Sequence, residues 1–497
     1  MKRREFIAKL GLAGGAILCH TPLLSAVARA TRPQEKPNIV WIMLEDWCPD
    51  LSCYGTKGVH TPHIDKLASE GALFTHAFTT APVCSASRSA MMTGHFQNYN
   101  GGNQHRTAKK KPLPHGIKPI PHILEDAGYY TAVGCGLSKK TDCNFTTSKP
   151  LFMGKHWKDR KPGQPFYAQI TEPGTHRSWN RDPENPIDDK DVELPPYYPD
   201  VPMVRRDWAN GLEQAQLSDK KVGRILQELK DEGVEDNTIV FLIGDHGRCM
   251  PRGKQFLYDG GIRIPLIVRW PGKIKPGTRS DDLVMSIDIC QTILDAADVT
   301  APHPLQGKNL FGQAVKKRQV IFAARDKMDD THDAIRAIRS KKFKYLHNLM
   351  PERPYAQFNY YKEMQYPTLA VLNAMYLKGE LNPVQAAFMA PTKPVEELYD
   401  LKNDPHETVN LASDPTYFEV KKEMRTRLDA WREAIDDQGV TEEFRQGGWP
   451  ATYPTKPLGQ WETIVEKWKP WVFRKPTEKG KHPRAFIGQT ALVKRSK

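Results

Sequence analysis

The chain has 497 residues, more than one ordinary domain needs, and this length suits one large domain with a smaller one. With 39% hydrophobic and 26% charged residues, its composition is that of a globular protein and excludes a fully disordered one. The formal charge of +14 predicts attraction to polyanions, but no zinc-finger spacing or RNA-binding signature indicates nucleic acid as a partner.

Residues 1–30 have the features of a twin-arginine signal peptide. Arg3 and Arg4 precede an apolar run rich in Gly and Ala, and Ala28 and Ala30 offer small residues for cleavage. Such a signal directs export, so we expect a periplasmic or secreted protein. A disordered basic tail is the alternative interpretation. No later apolar stretch reaches about 18 residues, so no stable membrane span is expected.

Residues 36–330 are predicted to form a large α/β domain. Residues 39–44 and 238–243 are continuous apolar runs, typical of parallel strands that are buried on both faces. Residues 166–171, 266–270 and 320–323 are further strand candidates, whereas residues 222–229 have helical spacing and end before Gly233. This alternation predicts a sheet with helices on both sides.

Polar residues follow both apolar runs immediately. Glu45 and Asp46 follow the first run, and Asp245 and His246 follow the second. Because functional groups of open α/β sheets lie at the carboxyl ends of strands, we expect these four side chains to meet. The alternative interpretation is that an Asp after a strand only caps the loop that follows it.

Residues 331–497 are predicted to form a smaller α+β domain. Residues 334–348 alternate like exposed antiparallel strands, residues 397–411 indicate a strand and a turn, and residues 418–435 form an amphipathic helix. The last 25 residues carry eight Lys or Arg and one acidic residue, Glu478. This basic tail is either a polyanion-binding segment or a merely solvated one.

The segment 84–94 reads Cys-Ser-Ala-Ser-Arg-Ser-Ala-Met-Met-Thr-Gly and opens a helical pattern after Pro82. A nucleophile at a helix N-terminus faces unpaired N–H groups and the positive end of the helix dipole, which favour an anion. Arg88 comes four residues after Cys84 and therefore shares its helix face. Seven cysteines remain beyond the signal peptide, and the pairs Cys48–Cys53 and Cys135–Cys143 stay open as disulfides.

This segment resembles the signature of type I sulfatases of the alkaline phosphatase superfamily, Cys-X-Pro/Ala-Ser-Arg followed by Thr-Gly. Further landmarks resemble the family in order: residues 37–46, 61–65, 238–247, 259–265 and 397–405. The resemblance, to the polysaccharide sulfatase and sulfamidase-like branch, implies a large mixed, mostly parallel sheet sandwiched by helices, with a smaller C-terminal α+β domain. It also implies that residues 36–330 are catalytic and that a maturation enzyme converts Cys84 to formylglycine. The implied substrate is a sulfated carbohydrate, which suits the basic charge.

The resemblance also implies a metal site. By position its ligands are Glu45, Asp46, residue 84, Asp245 and His246, with Glu45 where Asp is commoner. Calcium is the family's cation, but His246 offers nitrogen, so magnesium and manganese stay open.

Cations around the sulfate are the next implied feature: Arg88, Lys140, His176 and Lys254. In the variant segment Lys140-Thr141-Asp142, Asp142 takes the position of the usual family His, so either Asp142 or His176 acts as the base that expels sulfate. Four further residues are candidates for reading sugar hydroxyls: His105, Arg106, Arg325 and His332. Asp329 lies in the same stretch as the last two.

Three other functions stay open at this stage. A sulfamidase would cleave an N-sulfate with the same residues, and a phosphoesterase or phosphonate hydrolase would share the fold and the metal. A non-catalytic sulfoglycan-binding protein is disfavoured by the complete set of candidate ligands. The sequence specifies neither the sugar nor the oligomeric state.

Overall fold

The computed structural model describes residues 36–312, 317–448, 452–480 and 482–483. The predicted signal peptide and most of the basic tail lie outside these residues. The chain from Pro37 onward clusters as one compact unit. No helix within the described ranges is long and apolar enough to cross a membrane.

The strands are short except where the sequence has its apolar runs. They are β1 Asn38–Leu44, β2 Ala72–Phe74, β3 Ala77–Phe78, β4 Lys111–Pro112, β5 Tyr130–Val133, β6 Phe145–Thr146, β7 Phe166–Glu172, β8 Thr238–Gly244, β9 Leu266–Arg269, β10 Thr278–Ser280, β11 Val284–Met285, β12 Ile321–Arg325, β13 Ile335–Arg339, β14 Phe343–Asn348 and β15 Glu396–Asp400.

The helices include one of 30 residues, α5. They are α1 Pro62–Ser69, α2 Cys84–Thr93, α3 Gln97–Asn100, α4 Ile120–Asp126, α5 Pro202–Asp231, α6 Asp259–Ile262, α7 Asp288–Ala296, α8 Tyr360–Gln365, α9 Pro367–Lys378, α10 Pro383–Ala387, α11 Phe418–Ala434, α12 Glu442–Gln446 and α13 Leu458–Val472. Short 3-10 helices span Ser52–Tyr54, Trp157–Asp159, Glu235–Asn237 and Pro415–Tyr417.

A seven-stranded sheet in the order β10-β2-β9-β8-β1-β7-β5 forms the centre of the fold. All neighbouring strands are parallel except that β9 runs antiparallel to both β2 and β8. The sheet is therefore mixed and mostly parallel, as predicted.

Helices cover both faces of this sheet, because β1 sends alternate side chains into two apolar cores. Ile39, Trp41 and Met43 pack in the core that includes residues of α2, α4 and α7. Val40, Ile42 and Leu44 pack in the other core, with residues of α1 and α5. The α/β sandwich predicted from the sequence is confirmed.

The three longest strands bring their carboxyl ends to one edge. Leu44 lies opposite Glu172 of β7 and Gly244 of β8, so the residues after β1 and β8 must be neighbours. Helix α2 begins at this edge with Cys84 as its first residue, and Val83 at its N-cap offers no side-chain hydrogen bond. The free N–H groups of this helix thus lie next to the acidic residues.

The C-terminal strands β12, β13, β14 and β15 form an antiparallel sheet. The prediction of exposed strands at residues 334–348 was wrong in one respect, since every residue of β13 is buried. Its polar side chains are paired rather than solvated: Arg339 bonds Asp259 at 2.9 Å, and Lys344 of β14 bonds the same carboxylate at 2.6 Å. Strand β12, placed in the first domain by the sequence interpretation, is an edge strand of this second sheet.

Candidate functional site

Cys84 is completely buried at the first position of α2 and is surrounded by charged side chains. Its Sγ lies 3.2 Å from His246 Nε2, 3.4 Å from Asp46 Oδ1, 3.6 Å from Lys254 Nζ and 3.9 Å from Glu45 Oε1. A structural cysteine normally packs against apolar atoms. This thiol instead contacts two carboxylates, an imidazole and an ammonium group, which is the environment of a reacting group.

The acidic residues at the strand ends form a buried cluster that can hold a cation. Ligand atoms of Asp46, Cys84, Asp245 and His246 all lie within 4.8 Å of one another. His246 donates through Nδ1 to the Gly247 carbonyl at 2.9 Å, which leaves Nε2 facing the cluster. The predicted meeting of Asp46, Asp245 and His246 is thus seen, and Glu45, grouped with Asp46 and His176, adds a third carboxylate. Three carboxylates with one imidazole suit a divalent cation.

Protein cations already balance part of this negative charge. Burial opposes ionisation of Asp46, but Lys254 at 2.6 Å and His246 at 2.8 Å hold its pKa well below the ordinary value. Burial likewise opposes protonation of His246, yet Asp46 and Asp245 raise its pKa to about 10. A bound divalent cation would take over the role of that proton.

Arg88 lies one turn after Cys84 and connects α2 to the strand ends. Its Nε donates to Asp245 Oδ2 at 2.8 Å and its Nη1 to Thr171 Oγ1 at 2.9 Å. Its Nη2 is buried and donates to no described residue. Because an unpaired buried N–H costs free energy, Nη2 is a donor aimed at a ligand of the site.

His176 and Tyr361 lie on the opposite side of Asp46. His176 donates through Nδ1 to the Arg177 carbonyl at 2.7 Å, and its Nε2 lies 3.7 Å from Asp46 Oδ2 and 3.2 Å from the Tyr361 hydroxyl. Burial lowers the pKa of His176, which favours the neutral imidazole. A neutral ring with Nε2 facing the site can accept a proton.

The variant segment places two predicted residues in an ion-pair chain. Lys140 pairs with Glu45 and lies 3.5 Å from Asp142, which Arg106 also binds at 3.0 Å. Burial opposes ionisation of Asp142, but Arg106 and Lys140 lower its pKa to about 2. Arg106 and Lys140 thus hold Asp142 as a carboxylate within this ion-pair chain.

His105 is buried beside α2, where its Nδ1 lies 2.9 Å from Ser85 Oγ and its Nε2 lies 3.3 Å from Asp329 Oδ1. Arg106 is half-exposed and reaches the rim of the site. The structure therefore places both residues next to the nucleophile's helix.

Two predicted substrate residues lie elsewhere. Arg325 is only 1% exposed, and its Nη1 lies 3.5 Å from Asp333, so it cannot reach an open surface. His332 packs against Phe444 with ring centroids 5.2 Å apart. Sequence position placed both near the site because they follow a strand, but the side chain of Arg325 is turned towards Asp333 and that of His332 towards Phe444.

Sequence reasoning missed three residues of the site. Thr171 accepts from Arg88, Thr175 donates to the Glu45 carbonyl at 2.5 Å, and Tyr361 contacts His176. Thr171 is the polar residue at the end of the apolar run of β7, and its position at a strand end could have identified it. Tyr361 lies on α8, 185 residues after His176, and has no local signal that indicates the site.

A buried nucleophile at a helix N-terminus, beside a cluster of cation ligands at the carboxyl edge of a mixed sheet, defines a hydrolase of phosphate-like or sulfate-like esters. The chain belongs to the sulfatase family, whose profile matches residues 37–150 and 151–299. It is a sulfuric ester hydrolase of the alkaline phosphatase superfamily. A second profile, "N-sulphoglucosamine sulphohydrolase, C-terminal", matches residues 244–389.

Relatives support this family assignment along most of the chain. An ulvan-active sulfatase of Formosa agariphila is 34% identical over 459 residues, covering 81% of this chain and 76% of the relative. The human N-sulphoglucosamine sulphohydrolase is 26% identical and covers 85% of this chain and 94% of its own.

Solved structures share the fold at low identity. A protein in complex with its substrate D-glucosamine-2-N,6-O-disulfate matches with a TM-score of 0.60 at 18% identity, over 83% of this chain and all of the other. The phosphonate monoester hydrolase of Agrobacterium radiobacter matches with a TM-score of 0.58 at 17% identity, over 84% and 100%. At these identities the likeness establishes the architecture.

Proposed function

We propose that this sulfatase removes sulfate from a sulfated polysaccharide and that residue 84 acts as formylglycine. The observation that carries the proposal is the set of four polar contacts to Cys84 Sγ. The thiol stands here for the oxygens of the hydrated aldehyde. One sulfur atom satisfies few of these partners, whereas a hydrate offers two hydroxyls to them. The hydrate supplies an oxygen nucleophile for the sulfur of the ester.

The residues around position 84 stabilise charge that develops on the sulfuryl oxygens. Arg88 Nη2, Lys140 and Lys254 are cationic donors fixed by Asp245, Glu45 and Asp46 respectively. Because their carboxylate partners hold them in place, they need little reorganisation during the reaction. Each such preorganised donor contributes about 10² to 10³ in rate.

His176 is the proton carrier in this scheme. Its neutral Nε2 lies 3.7 Å from Asp46, and the hydroxyl of Tyr361 on α8 orients the ring. Asp142 holds Arg106 and Lys140 instead of carrying a proton.

We assign the cation site to Glu45, Asp46, Asp245, His246 and residue 84, and we propose calcium as the ion. The ion supplies charge neutralisation for a sulfate group that would otherwise meet three carboxylates. Its oxygen-rich donor set supports calcium, with magnesium and manganese as alternatives.

The names of the relatives and the positive net charge of the chain support the proposed substrate class. Ulvan, from which the Formosa agariphila relative takes its name, is the first substrate to test. The excess of positive charge suits a polyanion. We further propose that residues 1–30 export the protein by the twin-arginine route to the periplasm or beyond.

Sulfamidase activity is the second candidate, because the sulfamidase C-terminal profile matches residues 244–389. A panel of ulvan oligosaccharides, N-sulfoglucosamine and a phosphonate monoester separates the classes. We expect sulfate release from the O-sulfated oligosaccharides. Release only from the N-sulfate would make the protein a sulfamidase, and turnover only of the phosphonate would remove it from sulfate chemistry.

Mass spectrometry of the peptide containing residue 84 tests the nucleophile. After production with a maturation enzyme, the peptide is expected to show the aldehyde mass or its hydrate. Cys84→Ala is expected to abolish turnover with the same circular dichroism spectrum, because Ala fits the first position of a helix. An active preparation containing only intact Cys84 would contradict the mechanism.

Chelation tests the cation site. Removing divalent ions is expected to abolish turnover and to lower the melting temperature, because Glu45, Asp46 and Asp245 then repel one another in a buried space. Adding calcium back restores both. In Asp245→Asn the melting temperature should no longer respond to calcium. Full activity of the chelated wild type would refute the assignment.

A further inference from the structure

A lysine-rich loop begins at the rim of the catalytic centre. The backbone N–H of Arg106 donates to the hydroxyl of Ser85, the second residue of α2, at 3.0 Å. The chain then continues to three consecutive lysines, Lys109, Lys110 and Lys111. We call residues 106–111 the basic loop. Because one residue spans at most about 3.6 Å, the Cα atoms of Arg106 and Lys111 are at most about 18 Å apart.

Contacts with the segment between β5 and β6 fix the position of the basic loop. The N–H of Thr107 donates to Asn144 Oδ1 at 3.0 Å, and the N–H of Asn144 donates to Ser89 Oγ of α2 at 2.8 Å. The ammonium group of Lys110 donates to the Cys143 carbonyl at 2.6 Å. Directly after these contacts, β4 pairs with β6. The basic loop is therefore anchored to the helix that carries the nucleophile.

Positive charge exceeds negative charge in this part of the chain. Residues 101–150 contain eight Lys or Arg and three acidic residues. Each acidic residue already has a cationic partner: Glu125 pairs with Lys149, Asp126 with Lys118, and Asp142 with Arg106 and Lys140. The other four cations form no ion pair with any described residue: Lys109, Lys110, Lys111 and Lys139.

One carboxylate from another part of the chain lies near the start of the basic loop. It belongs to Asp329, which lies 3.3 Å from His105 Nε2 and accepts a hydrogen bond from Gln255 at 3.1 Å. The three lysines lie further along the loop and are exposed to solvent. Their ammonium groups are therefore available to an anionic ligand.

Two observations favour a sulfated polysaccharide over nucleic acid as this ligand. The basic loop begins beside Ser85, which follows the residue proposed to attack a sulfate ester. In addition, residues 100–118 contain no Phe, Tyr or Trp, whereas proteins that bind single-stranded nucleic acid stack the bases on aromatic rings. A sulfated chain needs only cations placed along its path.

We propose that the basic loop binds sulfate groups of the substrate chain other than the sulfate that is cleaved. A multiply sulfated oligosaccharide places one ester at residue 84 and further sulfates against Lys109 and Lys111, whereas Lys110 anchors the loop. This inference rests on the proposed action on a sulfated polysaccharide. It adds that the enzyme prefers multiply sulfated chains to sugars with a single sulfate.

The matched control removes the same charge at the same spacing on the opposite edge of the central sheet. Lys273 and Lys275 are exposed and follow β9. Since β9 runs antiparallel to β8, its last residue lies opposite Val240, far from the carboxyl end of β8 that carries Asp245. The control variant is therefore Lys273→Gln with Lys275→Gln, and the loop variant is Lys109→Gln with Lys111→Gln.

Calorimetric titration without turnover tests the binding directly. Both variants are made in the Cys84→Ala background and titrated with persulfated maltotetraose, with unsulfated maltotetraose as the blank. The loop variant is expected to bind the sulfated tetrasaccharide about 3- to 10-fold more weakly than its parent, the effect of losing two exposed ion pairs. The control variant should bind it like the parent.

Turnover gives the second test, in proteins that keep residue 84. The measured quantity is the ratio of kcat/KM for a multiply sulfated ulvan oligosaccharide to kcat/KM for a monosulfated one. We expect the loop variant to lower this ratio about 3- to 10-fold and the control variant to keep it. Higher salt should reduce the ratio of the wild type, because exposed charges are screened.

Three results would overturn the proposal. They are unchanged binding in the loop variant, an equal loss in the control variant, and equal weakening of an oligothymidylate of the same charge, which would make the loop a general polyanion surface. A wild type that releases no sulfate would refute the proposed function, whereas the calorimetric comparison would still decide whether the basic loop binds sulfated sugars.

Discussion

At the scale of single residues, burial competes with ion pairing for the protonation of His105. Asp329 at 3.3 Å favours the imidazolium, but burial dominates, and the neighbouring Arg106 and Lys254 oppose it further. The pKa of His105 therefore falls to about 3. The neutral ring satisfies its neighbours, because Nε2–H can donate to Asp329 while Nδ1 accepts from Ser85, whose oxygen already accepts from the Arg106 amide.

This buried histidine predicts a stability that depends on pH. Below pH about 6.5 the unfolded chain binds a proton at His105, whereas the folded chain does so only near pH 3. The free energy of unfolding must therefore fall as pH falls through this window, by up to about 1.4 kcal/mol per pH unit. Urea unfolding of His105→Gln between pH 5 and 6.5 should show a slope smaller by that amount.

The control for this experiment is His60→Gln, which removes an exposed imidazole and should leave the slope unchanged. Equal slopes for wild type and His105→Gln would mean that His105 is protonated in the folded state. Asp329 would then outweigh burial.

At the scale of elements, the length of an apolar run decided what the sequence could predict. The runs of β1, β7 and β8 are each seven residues long and buried throughout, and all three were predicted. Strands of two or three residues, such as β2 and β3, carry no periodic signal. The direction of β9 was equally invisible, because tertiary pairing and not local pattern sets it.

The site followed the same rule. Residues next to long strands or within the 84–94 segment were found, including Asp46, Arg88 and Asp245. Tyr361 comes from α8, far along the chain, and only folding brings it next to His176. The prediction that β13 is exposed was wrong, because an alternating pattern cannot distinguish an Arg in solvent from an Arg that forms an ion pair inside the protein.

The buried ion pairs of the second sheet predict a sharp contrast between two lysines of one hairpin. Lys344 has no exposed side-chain surface and binds Asp259 and Glu407, whereas Lys341 is 47% exposed and binds Asp281 at 2.7 Å. Removing one member of a buried pair leaves an uncompensated charge and costs about 3–5 kcal/mol. An exposed pair contributes about 0–1 kcal/mol.

Lys344→Met should therefore lower the free energy of unfolding by several kcal/mol, and Lys341→Met should stay within about 0.5 kcal/mol of wild type. Urea unfolding followed by tryptophan fluorescence measures both. Equal losses in the two variants would show that the β14 pair is no more important than a surface pair.

At the scale of the whole molecule, no disulfide links the cysteines of the described residues. All seven described cysteines are free, including Cys48, Cys53, Cys135 and Cys143, whose pairing the sequence left open. Most of them are buried among apolar residues. A chain of this kind can fold completely in a reducing compartment, which is the condition for export in the folded state.

Export by the twin-arginine route is the prediction at this scale. Changing Arg3 and Arg4 together to Lys keeps the charge of the leader but removes the paired guanidinium groups that the route recognises. The doubly substituted precursor is expected to remain in the cytoplasm, active after maturation, whereas the wild type is found in the periplasm or medium. Lys2→Gln removes a charge beside the pair and serves as the control, which should still be exported. Cell fractionation with a sulfatase assay and an immunoblot for the leader distinguishes these outcomes. Retention of both variants would indicate that general positive charge directs export, and normal export of the double variant would show that another signal carries the protein.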